Sequence, residues 1–476
     1  KTRSNSTFMT SGHPVVRAAA RQSIHLRKGG ITMDINTLYS VKITGYNDIF
    51  KESVRIYRDA VDFLIPVCID HWNDIISVDG VCQRKMYIEH LVHKTKNYLH
   101  PLYPFDKKFY KFPSYLLRGA IAEALGKVSS YMSNITNWKA MDPSTRGRRP
   151  GIPKAGHIYP CLYRDNTFIR TDTYEAKIKV FIRNTWDWII VKLRKSDVDY
   201  IIHHCSDRKE CAPVLQKRGK QWYLDFCFKE KVTLKDTDIF NQTIVAVDLG
   251  INNACTCTVM RSDGTVLGRY FYKVPKEYDC LKRKTGHIKR AQHHGSRCVK
   301  NLWRYANGVN HDISVKTASF IEGKAREFDA DAVVFEHLDT SGRKHGSKKQ
   351  KLTLWRKNEV QRMVADKVHR LGIHISHICA WGTSRLAYDG SGTVLRGNKS
   401  QKTNGSYSVC EFTNGRVYNC DLNASYNIGS RYFVREILKS LPAMERQHIQ
   451  AKVPGCAKRS TCTLSTLINL NSALYA

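Results

Sequence analysis

The stretch that most constrains the fold of this chain is TIVAVDLGINNACTCTVMRSDGTVLGRYFY, residues 243–272. It predicts three strands in succession. The first strand is almost wholly apolar and ends at Asp248, Gly250 and the asparagines after it form a turn, and Asp263-Gly264 forms the next turn. Because such an apolar strand is expected inside a sheet, the aspartate at its end requires a structural or chemical reason.

A second apolar stretch also ends in a carboxylate. ADAVVFEHLD, residues 330–339, predicts a strand as apolar as a central parallel strand, and it delivers Glu336 with His337 and Asp339 close behind. A buried carboxylate costs free energy unless it is paired or binds a metal ion. The simpler explanation is a strand end that meets solvent. Only carboxylates that converge from other segments would favour metal binding.

A third carboxylate lies in CDLNASYNIGSRYF, residues 420–433. Asp421 suits the N-terminus of a helix, and Ala424, Ser425 and Ile428 would share its face. An aspartate on a first strand, a glutamate ending a fourth strand and an aspartate on a C-terminal helix are typical of the RNase H-like fold. Carboxylate oxygens suit Mg²⁺ or Mn²⁺, and two such ions can activate water and stabilise the leaving oxygen of a phosphodiester.

The composition indicates a polyanionic partner. The chain has 476 residues, with 77 Lys and Arg against 42 Asp and Glu, and a net charge of +35. Because each Lys or Arg on a phosphate releases counterions, this surplus favours nucleic acid over a membrane surface. The 15 cysteines form no compact disulfide framework, which favours reduced thiols in a cytoplasmic compartment. No apolar run reaches membrane-spanning length.

Two further patterns precede the carboxylate motifs. Apolar residues in 50–64 and 117–132 recur at steps of three and four, which predicts a helical module disturbed at Pro66. YEAKIKVFIR (174–183) and QWYLDFCFKE (221–230) alternate apolar and polar residues. This alternation predicts antiparallel strands with a Lys-rich outer face, as in a β-barrel that contacts phosphates.

The three carboxylate motifs resemble those of a known family. VDLGINN (247–253), VVFEHLD (333–339) and DLNASYNI (421–428) look like the three RuvC motifs of the TnpB family of transposon-encoded RNA-guided nucleases, and of the compact type V CRISPR effectors that descend from them. Further segments share the resemblance: GIPK at 151–154, RGKQWYLDFCF at 218–228 and the basic run at 281–300. In all, the resemblance extends from the strand after Met33 to the end of the Asp421 helix.

The resemblance implies an RNA-guided DNA endonuclease. A guide RNA would pair with double-stranded target DNA beside a short motif that the protein reads, and a single RuvC site would cut the DNA by metal-dependent hydrolysis. Carried over position by position, Asp248, Glu336 and Asp421 would be catalytic and would bind two Mg²⁺ or Mn²⁺ ions. Arg396 would help to position the scissile phosphate, with Lys399 as a rival.

The resemblance also implies a multidomain α/β architecture, with an RNase H-like (RuvC) nuclease domain, a helical recognition domain and a β-barrel wedge domain. The expected segments are 1–32, a basic tail; 33–46, the first wedge strand; 47–157, the helical recognition domain and a linker; 158–240, the wedge β-barrel; 241–378, RuvC motifs I and II with a basic helical segment; 379–420, a degenerate zinc-ribbon-like loop that binds target nucleic acid; 421–440, RuvC motif III; and 441–476, a C-terminal tail.

The chain departs from the family where a zinc ribbon is expected. The first half of that ribbon reads Thr-Ser-x-x-Cys-x-x-Cys, whereas TSRLAYDG (383–390) has Ala387 and Gly390 at the cysteine positions. Only Cys410 remains in the second half, and one ligand of four cannot hold tetrahedral zinc. We therefore expect the ribbon's zinc to be absent. The alternative is an unrelated zinc site formed by His377, Cys379, Cys410 and Cys420.

Other functions stay open on sequence alone. An RNA-guided DNA-binding protein without cleavage, acting as a repressor or targeting subunit, would predict a broken triad. A guide-free recombinase or resolvase would not need the N-terminal half, and a structural RNA-binding protein would leave the carboxylates unexplained. Structural roles are expected for His337 and Asp339. The sequence leaves open whether a monomer or a homodimer binds one guide, and it favours a prokaryotic cytoplasmic location, at the nucleoid during action.

Overall fold

The computed structural model of the chain describes residues 31–45, 48–95, 98–250, 253–296, 298–337 and 356–475. These residues belong to two compact units, Asn36–Glu230 and Lys231–Ala476, the second of which also includes the described residues from Ile31 to Ile35. Most of the predicted basic tail and Asp339 lie outside the described residues.

The unit Asn36–Glu230 combines helices with a mainly antiparallel sheet. Its strands are β1 (Thr32–Thr44), β2 (Phe168–Asp172), β3 (Glu175–Ile182), β4 (Thr185–Leu193), β5 (Lys209–Glu210), β6 (Val214–Arg218) and β7 (Gln221–Thr233). Its helices are α1 (Phe50–Asp70), α2 (Trp72–Ser77), α3 (Val81–Val92), α4 (Phe105–Lys108), α5 (Ser114–Ala140) and α6 (Lys195–Cys205).

The sheet of this unit has the strand order β2-β3-β4-β1-β7-β5, with β6 also paired to β7. The predicted alternation is confirmed, because Trp222, Leu224, Phe226 and Phe228 of β7 are buried. The predicted closed β-barrel is not confirmed: among the residues described here, no pairing joins β2 to β5 or β6. Alternation fixes which face of a strand is buried, but it does not specify the partner that would close a sheet.

The helical pattern in this unit is confirmed, with one correction. Helix α1 does not stop near Pro66 but continues to Asp70. Its last turns bury Val67 and Cys68. Burial of this apolar surface opposes the cost of a proline inside a helix, about 3 kcal/mol.

The unit that begins at Lys231 contains the carboxylate motifs. Its strands are β8 (Thr243–Asp248), β9 (Cys255–Arg261), β10 (Val266–Tyr272), β11 (Ala332–His337), β12 (His374–Cys379), β13 (Leu395–Arg396), β14 (Val409–Glu411) and β15 (Val417–Asn419). Its helices are α7 (Pro275–His293), α8 (Lys300–Glu327), α9 (Lys357–Val368), α10 (Cys420–Ser440), α11 (Ala443–Lys452) and α12 (Leu464–Tyr475).

Five of these strands form one sheet in the order β10-β9-β8-β11-β12. The predicted meander is confirmed, since β8, β9 and β10 pair antiparallel. The predicted parallel strand is also confirmed, because β11 pairs parallel with both β8 and β12. Alternate residues of β8 and β11 enter two separate cores. One core contains α10 and α12, and the other contains residues of α8 and α9.

The segment 441–476, expected as a C-terminal tail, contains α11 and α12 among its described residues. Leu464, Leu467 and Leu470 are buried in the same core as α10. This part of the chain is therefore folded against the sheet that carries Asp248. In the part of the chain that the structure describes, each helix is too short or too polar to cross a bilayer.

Candidate active site

Two of the predicted carboxylates lie on neighbouring parallel strands. Asp248 is the last residue of β8, and Glu336 lies near the end of β11, directly after the Phe335–Val247 pair. Because side chains alternate along a strand, Asp248 shares a face with Ala246, and Glu336 shares that same face with the even-numbered residues of β11. Ala246 packs in the α10 core. Both carboxylates therefore project from the side of the sheet that α10 covers.

The third carboxylate enters from that helix. Helix α10 begins at Cys420, and the Asn419 side chain caps it by accepting hydrogen bonds from the backbone N–H groups of Asp421 and Leu422, both at 3.0 Å. This cap fixes Asp421 in the first helical turn, where a negative charge interacts favourably with the helix dipole. Asn253, in the turn after β8, donates from Nδ2 to Asp421 Oδ2 at 2.6 Å.

Charge and burial at these carboxylates act on their pKa values. The pKa of Asp248 is raised well above its usual range, first by burial and then by the negative charges of Glu336 and Asp421. Burial also raises the pKa of Glu336, whereas the Thr383 hydroxyl and the positive charge of Arg431 lower it. Like charges gathered in a partly desolvated place favour a cation between them.

The side chains that hold Glu336 were not predicted. The Thr383 hydroxyl donates to Glu336 Oε1, and Gln361 of α9 donates from Nε2 to the Glu336 carbonyl at 3.2 Å. Asn253 was expected only as a turn residue, and Thr383 only as a remnant of the zinc ribbon. The one signal in the sequence was that Thr383 is retained although the cysteine positions after it are not.

The donor set fits hard divalent cations. Carboxylate oxygens are the ligands that Mg²⁺ and Mn²⁺ prefer, and the crowding of negative charge on Asp248 is what a bound cation would relieve. Within the described ranges, no three His, Cys, Asp or Glu side chains are arranged around one point as ligands of a single ion. Asp248 is the carboxylate whose pKa is raised by the charges of both Glu336 and Asp421, so it is the residue that would share a cation with either of them.

Arg396 lies near this site, and Lys399 is exposed. Arg396 is half-buried on β13, where it pairs with Cys410, and the Cys410 thiol and then the Arg396 guanidinium lower the pKa of the Cys420 thiol beside Asp421. Lys399 lies in the exposed turn that follows. Of the two candidates, Arg396 is the one with a side chain beside a carboxylate-bearing segment. His337 is exposed at the end of β11.

An apolar cluster occupies the place where the family's zinc ribbon is expected. Its buried members are Ala387, Val394, Cys410, Phe412 and Cys420. The Cys410 thiol donates to the Tyr418 carbonyl at 3.5 Å. His377 and Cys379 do not join them, since within the described ranges no group of three potential ligands forms.

Comparisons with known proteins show what the chain as a whole is similar to. Residues 37–182 match the Aq_aa04 family. A TnpB-like protein of Aquifex aeolicus (strain VF5), aq_aa05, is 27% identical over 240 residues, which is 45% of this chain and 74% of that protein. The chain is thus similar to a TnpB-like protein. The chain also shares a multidomain α/β fold with the protein in a cryo-EM structure of a Cas12f1–sgRNA–target DNA complex, with a TM-score of 0.51, 13% identity and coverage of 80% and 81% of the two chains.

Proposed function

We propose that the chain is an RNA-guided DNA endonuclease with one RuvC-type active site. The observation that carries the proposal is the convergence of Asp248, Glu336 and Asp421 at one end of the five-stranded sheet, from two parallel strands and a helix N-terminus. The strand order, with an antiparallel meander followed by two parallel strands, supports an RNase H-like domain. Kinship with TnpB and the net charge of +35 support nucleic-acid partners.

The nucleic acids would be a guide RNA and a double-stranded target DNA. The unit Asn36–Glu230 would supply the helical recognition and wedge functions, and base pairing between guide and target would read the sequence. Its helical part, residues 47–157, and its strands in 158–240 carry many Lys and Arg residues for phosphate contacts.

The side chains of this site would act mainly by holding carboxylates in place. Two Mg²⁺ or Mn²⁺ ions, when bound, would supply an activated water and stabilise the leaving oxygen of the phosphodiester. Thr383 holds one oxygen of Glu336 and Asn253 holds one oxygen of Asp421, and these hydrogen bonds would keep both carboxylates oriented to hold the ions. Arg396, beside Cys420, would contact the scissile phosphate.

The proposal is tested by a paired assay on the protein purified with the RNA from its host. Asp248→Ala, Glu336→Ala and Asp421→Ala should each lower the cutting rate by about 10³-fold or more, on the order of 4 kcal/mol of transition-state stabilisation. Binding of target DNA should change little, because it depends on many phosphate contacts and on base pairing. EDTA should reproduce the variants, and Mg²⁺ or Mn²⁺ should restore the wild type.

A matched control is Asp263→Ala. Asp263 lies in the β9–β10 turn at the opposite end of the same sheet, where it accepts a hydrogen bond from Thr265 N at 2.8 Å. This variant should cut like the wild type. Guided binding without any cutting by the wild type would instead favour an RNA-guided DNA-binding protein, and Glu336→Ala with a normal rate would remove the catalytic assignment.

A further inference from the structure

Helix α10 carries a polar stripe, which we define as Asn423, Asn427 and Arg431. These residues are four positions apart, so they lie on one face of the helix. All three are buried, with exposed fractions of 0%, 0% and 3%. A helix face packed in a core is normally apolar, and buried polar groups require hydrogen-bond partners. The partners of the stripe show what it holds.

The two asparagines hold the segment that follows β12. Asn423 donates from Nδ2 to the Leu386 carbonyl at 2.9 Å and accepts from Tyr388 N at 2.8 Å. Asn427 donates from Nδ2 to the Thr383 carbonyl at 2.9 Å and to the Leu386 carbonyl at 2.8 Å. The same amide leaves its Oδ1 buried without a hydrogen-bond partner in the described residues. The Asn427 amide therefore contributes hydrogen bonds to the fold through its donors alone.

Arg431 joins two segments at once. Its Nη1 donates to the carbonyls of Cys379 and Trp381 at 2.7 and 2.8 Å. Its Nη2 and Nε donate to the carbonyls of Ser460 and Cys462 at 2.6 and 3.1 Å. Among the hydrogen bonds of the described residues, this guanidinium is thus bound by main-chain carbonyls, and its charge reaches Glu336 as a longer-range attraction. The planar fork of arginine is suited to such a set of fixed acceptors.

These contacts form a continuous connection between two candidate metal ligands. Asp421 lies at the start of α10, the polar stripe on α10 holds residues 379–388, and Thr383 in that segment donates to Glu336. We propose that the polar stripe, with Arg431 as its anchor, is a positioning device that sets the separation of Glu336 from Asp421. The C-terminal segment would belong to this device, because Ser460 and Cys462 hold the other side of Arg431.

This inference rests on the proposed endonuclease activity, and it predicts a specific defect. If the stripe only stabilised the fold, Arg431 variants that remain folded would bind metal and cut normally. If it positions Glu336, they should require more metal while still binding DNA. Partners that orient metal ligands typically contribute about 10- to 100-fold to metal affinity or activity.

The first experiment compares Arg431→Lys and Arg431→Met with Arg435→Lys in the full chain with its co-purified RNA. Arg435 is one helical turn further on and donates to the His377 carbonyl at 2.8 Å and to Ser376, both within β12. The Arg431 variants should raise the Mg²⁺ concentration for half-maximal cutting by about 10-fold or more, with Met worse than Lys, and the Arg435 control should not. The Kd for target DNA should stay within about twofold of the wild type, because phosphate contacts and base pairing dominate it.

A readout independent of cutting is Mn²⁺ binding to the RNA-free protein, followed by electron paramagnetic resonance. Wild type and Arg435→Lys should bind Mn²⁺ alike, and the Arg431 variants should bind more weakly. Thr383→Val then tests the connection, since it removes only the hydroxyl that contacts Glu336. Both changes act through the contact between Thr383 and Glu336. The double variant Arg431→Lys/Thr383→Val should therefore bind Mn²⁺ little worse than the more defective of the two single variants.

The outcomes separate this inference from the proposed function. Folded Arg431→Lys with wild-type Mg²⁺ dependence and Mn²⁺ binding overturns the inference, as does a double variant whose defects multiply. Absence of cutting by the wild type would overturn the proposed function, while the Mn²⁺ titration would still test the stripe. If Arg431→Met does not fold, Arg431→Lys and Thr383→Val carry the test.

Discussion

At the scale of single residues, the candidate site lowers the stability of the folded chain. Asp248 is desolvated and lies beside two further carboxylates, so that its pKa is raised well above the usual range. The charged form of such a group destabilises the folded chain. Sites that gather like charges are typical of places where a cation binds, and the stability lost there returns when the cation is present.

We therefore expect Asp248→Asn to abolish cutting and yet stabilise the protein. In EDTA near neutral pH, its melting temperature should exceed that of the wild type by about 2 °C or more. Because the pKa of Asp248 is higher in the folded chain than in the unfolded one, the penalty is absent below about pH 4, where the carboxyl is protonated in both states. The penalty grows as the pH rises through the folded pKa.

Melting curves from acidic to neutral pH measure this difference, which should shrink towards zero at the acidic end. Mg²⁺ should stabilise the wild type more than the variant. Asp263→Asn, in the turn at the opposite end of the sheet, should show no comparable gain. A variant that melts below the wild type at neutral pH would contradict the electrostatic account.

At the scale of elements, sequence patterns predicted the parts of the site but not their contacts. The strands of Asp248 and Glu336 are runs of apolar residues, and the spacing after Asp421 is helical, so each element was predictable by itself. The hydrogen bonds from Asn253 to Asp421 and from Thr383 to Glu336 join residues 168 and 47 positions apart. No local pattern encodes such contacts, because they arise only when elements pack.

Two other differences have different causes. Alternating strands predicted a barrel, but strand pairing leaves the sheet of the first unit open in the described residues. Helix α12 has a usable signal, with Leu464, Leu467 and Leu470 recurring at steps of three, yet the segment was expected as a tail. The helical pattern of α12 was therefore present in the sequence, whereas barrel closure was not encoded locally.

The small sheet of β13, β14 and β15 leads to a prediction about zinc. Its neighbouring cluster buries Ala387, Phe412 and two thiols where a zinc ribbon would place ligands. We expect elemental analysis to find well under one zinc per chain. Cys410→Ala should lower the free energy of unfolding by no more than about 1–2 kcal/mol, as expected for a small buried apolar residue. A variant that removed a zinc ligand would instead lose its fold. Stoichiometric zinc that disappears in Cys410→Ser would show that the alternative zinc site exists.

At the scale of the whole molecule, charge is the dominant property. The surplus of Lys and Arg gives +35, and part of it is concentrated on helix α7. Lys282, Arg283, His287 and Arg290 line one open side of that helix and are exposed to solvent. An exposed row of cations is suited to a phosphate backbone, and its contribution to affinity is screened by salt.

We expect the protein purified from its host to retain one dominant structured RNA after a high-salt wash. Rebinding of that RNA should weaken by about 10³-fold or more between about 50 and 200 mM salt, as for six or more phosphate contacts.

Replacing Lys282, Arg283 and Arg290 by Ala should flatten the slope of log K against log salt by about one unit for each phosphate that is no longer neutralised, without changing which RNA is bound. Because these residues are exposed, the triple variant should melt like the wild type, which separates a weaker affinity from a damaged fold. Sequencing of the bound RNA and filter binding at several salt concentrations are the measurements. A random mixture of cellular RNA, or an affinity that salt leaves unchanged, would contradict a protein whose charge is used to hold a guide.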